Sequence, residues 1–115
     1  MPGIRDVDAL KNHVTLPQAL RGAGWFTFCC GKIYHDGSVK PKNRAGEFDE
    51  LVQTGPGKKP PAPIVPIFTH PAMDWGVWPA RDEDTADWKI AEAAITKLKS
   101  LPRDKPFFIA CGFRL

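Results

Sequence analysis

Long hydrophobic runs are missing from this chain. No apolar stretch approaches the ~20 residues that a membrane-spanning helix needs, so nothing in the sequence reads as a bilayer segment. Cysteine is scarce: there are three, Cys29, Cys30 and Cys111, with no Cys-x-x-Cys pair. An odd count of this kind does not build a disulfide framework, and their apolar neighbours Phe28, Ile109 and Ala110 predict buried free thiols. Histidine is as scarce, and His13, His35 and His70 lack metal-ligand spacing. No sign of charge dominates. Sixteen Lys and Arg are spread among thirteen Asp and Glu, for a net charge of +3. That pattern has no basic stripe, so nucleic acid is not an expected partner, and neither is a membrane. A leader is also missing: "PGIRDVDALKNH" after Met1 carries charges where a signal peptide needs an apolar core. As written, the chain is expected to stay in the cytoplasm.

What is present is the composition of one soluble domain: 115 residues, 43% hydrophobic and 25% charged. Twelve prolines and ten glycines crowd towards the middle. No internal repeat and no domain boundary stands out.

The segment "TLPQALRGAGW" predicts a short helix. Thr15 suits the N-cap and Pro17 the first turn. Leu16, Ala19 and Leu20 form a candidate inward stripe, and Gly22 and Gly24 end the helix. "WFTFCC", Trp25 to Cys30, is rich in strand formers and nearly continuously apolar, as a strand covered on both faces would be. From residue 36 to 80 no periodicity lasts. "TGPGKKPPAPIVP" is turn and polyproline material, with Lys58 and Lys59 read as a solvated linker. "FTHPAMDWGVWPA" carries aromatics that pack the loop, Asp74, Trp75 and Trp78 among them, and His70 reads as a loop histidine beside a proline.

"DEDTADWKIAEAAITKLKSL" predicts an amphipathic helix capped by Asp84 or Thr85. Ala91, Ala94, Ile95 and Leu98 follow helical spacing as its inward face. Acidic residues lead and Lys97 and Lys99 close it, in the sense that complements the helix dipole. "KPFFIACGF" then predicts a second buried strand, Phe107 to Cys111. The order helix, strand, long loop, helix, strand is α/β, with the two strands parallel through a helical crossover.

Ligands of parallel sheets gather beyond the carboxyl ends of the strands. "GKIYHDG" places Lys32 and His35 just past such an end. The lysine offers a point charge with three donors, and the histidine a hydrogen bond or a proton. Together they suit a tetrahedral oxyanion such as sulfate or phosphate. The residues alone equally allow a surface lysine and a partly buried histidine on a turn, with Asp36 in a turn role.

"TLPQALRGAGWFTFCCGKIYHDG" resembles a characteristic stretch of the sulfatases, in which an apolar strand leads into Gly-Lys-x-x-His. "DWGVWPARDEDTADWKIAEAAITKLKSLPRDKPFFIACGF" resembles a second block of the same family, in the same order. The nearest branch is iduronate-2-sulfatase-like and choline-sulfatase-like, and the resemblance covers most of residues 10–113. It implies a fragment of an alkaline-phosphatase-like α/β fold, a mainly parallel sheet with flanking helices, with residues 1–115 as part of a sulfatase catalytic domain and 36–80 as a loop within it. It implies hydrolysis of sulfate esters of small molecules or sugars, with a formylglycine and a divalent cation, usually calcium. In the family pattern the lysine contacts sulfate and the histidine hydrogen-bonds the formylglycine hydrate. Lys32 is thereby the candidate substrate-binding residue and His35 the candidate catalytic one.

The sequence departs from the family in what it lacks. The Cys/Ser-x-Pro-x-Arg source of formylglycine does not occur, nor do the N-terminal metal-binding aspartates or the later Pro-His pair. No metal ligand and no cofactor is therefore assigned within this chain. The expectation is an internal slice, inactive alone, of a family whose members are often exported or lysosomal. Two alternatives stay open: a non-catalytic binder of sulfated ligands, and a truncated relic without selected function.

Overall fold

A computed structural model describes residues 7–34, 46–55, 57–65, 74 and 76–113. Helix α1 spans Leu16–Gly22, strand β1 Phe26–Gly31, strand β2 Glu50–Val52, helix α2 Ala86–Lys99 and strand β3 Phe107–Gly112. The three strands form one sheet in the order β2-β1-β3, parallel throughout. The chain is therefore α/β, with a small parallel sheet and two α-helices among the described residues.

Thr15 is the N-cap of α1, where the Gln18 side chain accepts from its backbone N–H at 3.0 Å. Gly24, at φ +86°, turns the chain into β1. The inward stripe differs from expectation. Leu16 is 62% exposed and Ala19 is exposed, whereas Pro17 is buried. The helix has seven residues, and its seating follows a polar tether more than an apolar face. Arg21 Nε donates to Asp49 Oδ1 at 2.9 Å, and Asp49 Oδ2 accepts from both the N–H and the hydroxyl of Thr27 on β1, at 2.8 and 3.0 Å.

That tether has a pH signature. Desolvation pushes the Asp49 carboxyl upward, but the hydrogen bonds from Thr27 and then from Arg21 outweigh it and hold the group below the usual carboxylate range. Its depressed value in the folded state contributes stability that is present above the unfolded value and lost as pH falls through the folded one. Asp84 acts in the same sense, held low first by its hydrogen bond from Lys58. Thermal unfolding should therefore shift to lower temperature as pH drops below ~4, and Asp49→Asn should flatten that slope. An unchanged slope in the variant would show that the tether carries no linkage.

Strand β1 sits at the centre of the sheet and is buried from Phe26 to Cys30. Phe26, Phe28 and Cys30 face α2 and close around Ile90, with Ala93, Ala94, Leu101 and Ile109 packed against them. Thr27 and Cys29 face the other way, towards Asp49 and Phe48. Trp25, expected inside the strand, lies before it and is 37% exposed.

Thr85 caps α2 by accepting from Trp88 N–H at 3.1 Å, after a 3-10 turn at Asp82–Asp84. The inward face of α2 is Ile90, Ala93, Ala94 and Lys97, not the predicted set: of that set Ala94 packs on the core, while Ile95 and Leu98 are 45% and 51% exposed. Lys97 holds a place an apolar residue would normally take. Its Nζ lies 5.6 and 5.4 Å from the ring centroids of Phe26 and Phe28 and 2.6 Å from Glu50 on β2. The stem covers aromatic surface while the ammonium keeps a carboxylate partner.

Two further expectations change. The loop 36–80 contains β2, paired with β1 from Phe28↔Glu50 to Cys30↔Val52. In addition, β3 is not a buried strand: Phe107 is 45% exposed and Cys111 is exposed, so of the three free thiols only Cys29 and Cys30 are buried. Its register runs from Phe26↔Phe107 to Gly31↔Gly112, and among the described residues no strand pairs its outer side. Lys58 is not merely solvated, since it pairs with Asp84 at 3.0 Å and its carbonyl accepts from Trp78 Nε1 at 3.2 Å. Asp74 folds the loop back on itself by accepting from the N–H groups of Ile64 and Val65. No described helix is long and apolar enough to cross a membrane.

Candidate functional site

The candidate site begins where β1 ends. Gly31 has φ +75°, a backbone that L side chains rarely adopt. A Cβ there would run into the Gly112 carbonyl oxygen and lie 2.9 Å from Ile90 Cδ1. A Cβ on Gly112 would in turn meet the Lys32 carbonyl. The glycine pair Gly31↔Gly112 thus lets the carboxyl ends of β1 and β3 close on each other, sealed by the Lys32 N–H donating to Gly112 at 2.7 Å.

Lys32 follows directly. It is exposed, and among the described residues no carboxylate pairs with its ammonium. The chain leaves β1 for β2 on one flank and later returns to β3 on the other. In parallel sheets ligands usually gather beyond the carboxyl ends of strands where the connections diverge in this way. Lys32 stands one residue past the end of the central strand, directly after the close-packed Gly31.

His35, the other predicted site residue, lies outside the described residues, as do Asp36, His70 and Trp75. The structure does not bring a second charged side chain to Lys32 among the residues it describes. A shallow cleft nearby, lined by Cys29, Gly31, Ile33, Tyr34, Phe48, Leu51 and Gln53, is mainly apolar and holds no cation.

Sequence reasoning passed over one polar group. Glu47 is 1% exposed, with the Thr15 hydroxyl donating to Oε2 and the Tyr34 hydroxyl 3.4 Å from the same oxygen. Burial, then the Glu47 charge, pushes the Tyr34 phenol upward. The cluster ties α1 to the segment after β1 and so helps to fix the course of the chain past Lys32. Nothing local marks it, because its members are 13 and 32 residues apart.

Calcium takes about 6–8 oxygen ligands. Among the described residues no three His, Cys, Asp or Glu side chains gather in a way that could hold a metal. Compared with protein-family models, with curated proteins and with solved structures, the chain matches none.

Proposed function

We propose that this chain is part of the catalytic domain of a sulfuric ester hydrolase, iduronate-2-sulfatase-like and of the alkaline-phosphatase-like fold, and that Lys32 contacts the sulfate group. The observation that carries the reading is the place of Lys32: exposed, without an ion-pair partner among the described residues, one residue past the carboxyl end of the central parallel strand, at the crossing point between flanks. The Gly-Lys-x-x-His spacing of Gly31, Lys32 and His35 and the second block at 74–113 support it.

In this reading the Lys32 ammonium neutralises charge on the sulfate oxygens, most strongly where a crevice excludes water. The absence of a side chain at Gly31 lets the end of β3 close against β1 and so fixes where Lys32 leaves the sheet. His35 orients or deprotonates the nucleophile. The nucleophile itself comes from outside these 115 residues, since none of Cys29, Cys30 and Cys111 is followed by the Pro and Arg of the family motif.

The test pairs binding with turnover. At low ionic strength, where screening is weak, 4-nitrophenyl sulfate should shift the amide resonances of Gly31, Lys32 and Gly112. Lys32→Ala should weaken that binding ~10-fold, the loss of one charged hydrogen bond. The chain alone should release no nitrophenol. Absence of shifts in the folded parent, or equal binding by the variant, contradicts the role of Lys32. Calcium-dependent turnover by this chain contradicts the placement of the nucleophile. A second reading, a non-catalytic binder of sulfated ligands, is favoured by the missing Cys/Ser-x-Pro-x-Arg motif. It predicts the same Lys32-dependent binding in a protein with no catalytic motif on either side.

A further inference from the structure

The three thiols are not equivalent. Cys30 on β1 is in register with Cys111 on β3, and register partners of parallel strands project to the same face of the sheet. Cys30 is fully buried beneath α2, with Sγ 3.7 Å from the Ile90 carbonyl oxygen. Cys111 is exposed, on a strand whose outer edge has no partner among the described residues. The two thiols are close enough for Cys111 to disfavour ionisation of Cys30. Cys29 projects to the opposite face, into the cleft with Phe48. Neighbouring strands lie about 4.8 Å apart, inside the Cα separation of about 4.4–6.8 Å that a disulfide spans.

We propose that Cys30 and Cys111 form a dithiol–disulfide modification site, in which a small-molecule disulfide such as glutathione disulfide drives closure of an intrachain bond between β1 and β3. The exposed Cys111 thiolate attacks one sulfur of glutathione disulfide. The oxidant's S–S bond breaks, and one glutathione leaves as thiolate. Cys30 then loses its proton to solvent and attacks Cys111 Sγ in the mixed disulfide, expelling the second glutathione. The protein gives up two electrons and two protons, and glutathione disulfide is reduced to two glutathiones.

Accessibility decides the order of the two steps. Burial, reinforced by the neighbouring Cys111, pushes the Cys30 thiol up to about 12. A thiol so rarely ionised is a poor entry point, so the exposed Cys111 reacts first and Cys30 resolves. The bond lies one residue before the Gly31↔Gly112 contact and two before Lys32. Closure therefore clamps the strand ends that carry the lysine. The thiol pair stands on strand register and exposure alone and does not depend on the sulfatase reading.

The experiment is oxidation of the 115-residue chain with excess glutathione disulfide, followed by non-reducing peptide mapping and a thiol count. The expected product links Cys30 to Cys111, and free thiols fall from three to one. Cys30→Ala should stop at a glutathione adduct on Cys111, and Cys29→Ala should still close the bond. The proposal is overturned if the folded parent stops at the Cys111 adduct, links Cys29 to either partner, or keeps three thiols. Because the parent chain decides, loss of folding in a variant leaves the outcome clear.

Discussion

Replacing Phe28 by alanine should lower the stability of the chain by about 3–5 kcal/mol, the usual cost of emptying an aromatic site in a core. Phe28 is fully buried on the central strand. It touches the three elements that matter: its ring packs with Ile90 of α2, lies 5.4 Å from Lys97 Nζ, and is in register with Glu50 of β2 and Ile109 of β3. Among the described residues the sheet has three strands, one of them three residues long, so the cavity has few described neighbours able to collapse into it. Removing the ring also takes one of the two aromatic faces from the Lys97 ammonium, leaving that of Phe26. Against a total stability of about 5–15 kcal/mol for a typical domain, such a loss brings this chain close to unfolding. Urea denaturation checks it: the midpoint should fall sharply with the slope unchanged. A fall worth less than about 1 kcal/mol, the range of an ordinary surface substitution, would show that β1 is not the centre of the core.

Gly31→Ala should be nearly as damaging, for a different reason. At φ +75° an L side chain strains the backbone by about 1–2 kcal/mol. The added methyl also meets the Gly112 carbonyl and Ile90 Cδ1, which adds about 1–3 kcal/mol of overpacking. The carbonyl belongs to a paired strand and cannot swing aside as a side-chain tip can. The strand ends must separate, and the Lys32 N–H to Gly112 bond breaks with them. Hydrogen exchange reads this locally. The Lys32 amide should lose protection while that of Phe28, in the middle of the strand, keeps most of its own. Equal loss at both positions would mean that Gly31 supports the whole sheet and not its carboxyl end alone.

Sequence pattern reached some of these elements and missed others for identifiable reasons. Thr15 and Thr85 marked both helix starts because an N-cap is a local device, and each stands where the structure caps its helix. The run from Phe26 to Cys30 announced the central strand, since a strand covered on both faces has no polar positions to hide it. Strand β2 gave no signal: Glu50, Leu51 and Val52 become a strand only by pairing with Phe28–Cys30. The inward face of α2 was misread because Lys97 occupies a core-facing position and two alanines share it, while the bulkier Ile95 and Leu98 face outward. Cys111 was expected inside because its neighbours are apolar, and it is exposed because among the described residues β3 lies at a sheet edge, a property of topology and not of composition.

The candidate site divides in the same way. Lys32 could be placed beyond a strand end from Gly31 and the apolar run before it, and it stands there. The close approach of Gly112 could not be foreseen, since it joins residues 80 positions apart through sheet register. The buried Glu47 with Thr15 and Tyr34 was hidden for the same reason.

The sulfatase assignment is tested most directly by sequencing the coding DNA on both sides of this reading frame. It predicts codons for Cys/Ser-x-Pro-x-Arg upstream and for Pro-His downstream, in frame or one base out of it. With both in place, Lys32 and His35 belong to the active site of the intact hydrolase. If neither motif lies nearby, the assignment to a sulfatase catalytic domain is contradicted, and Lys32 is left as an exposed lysine past the end of the central strand.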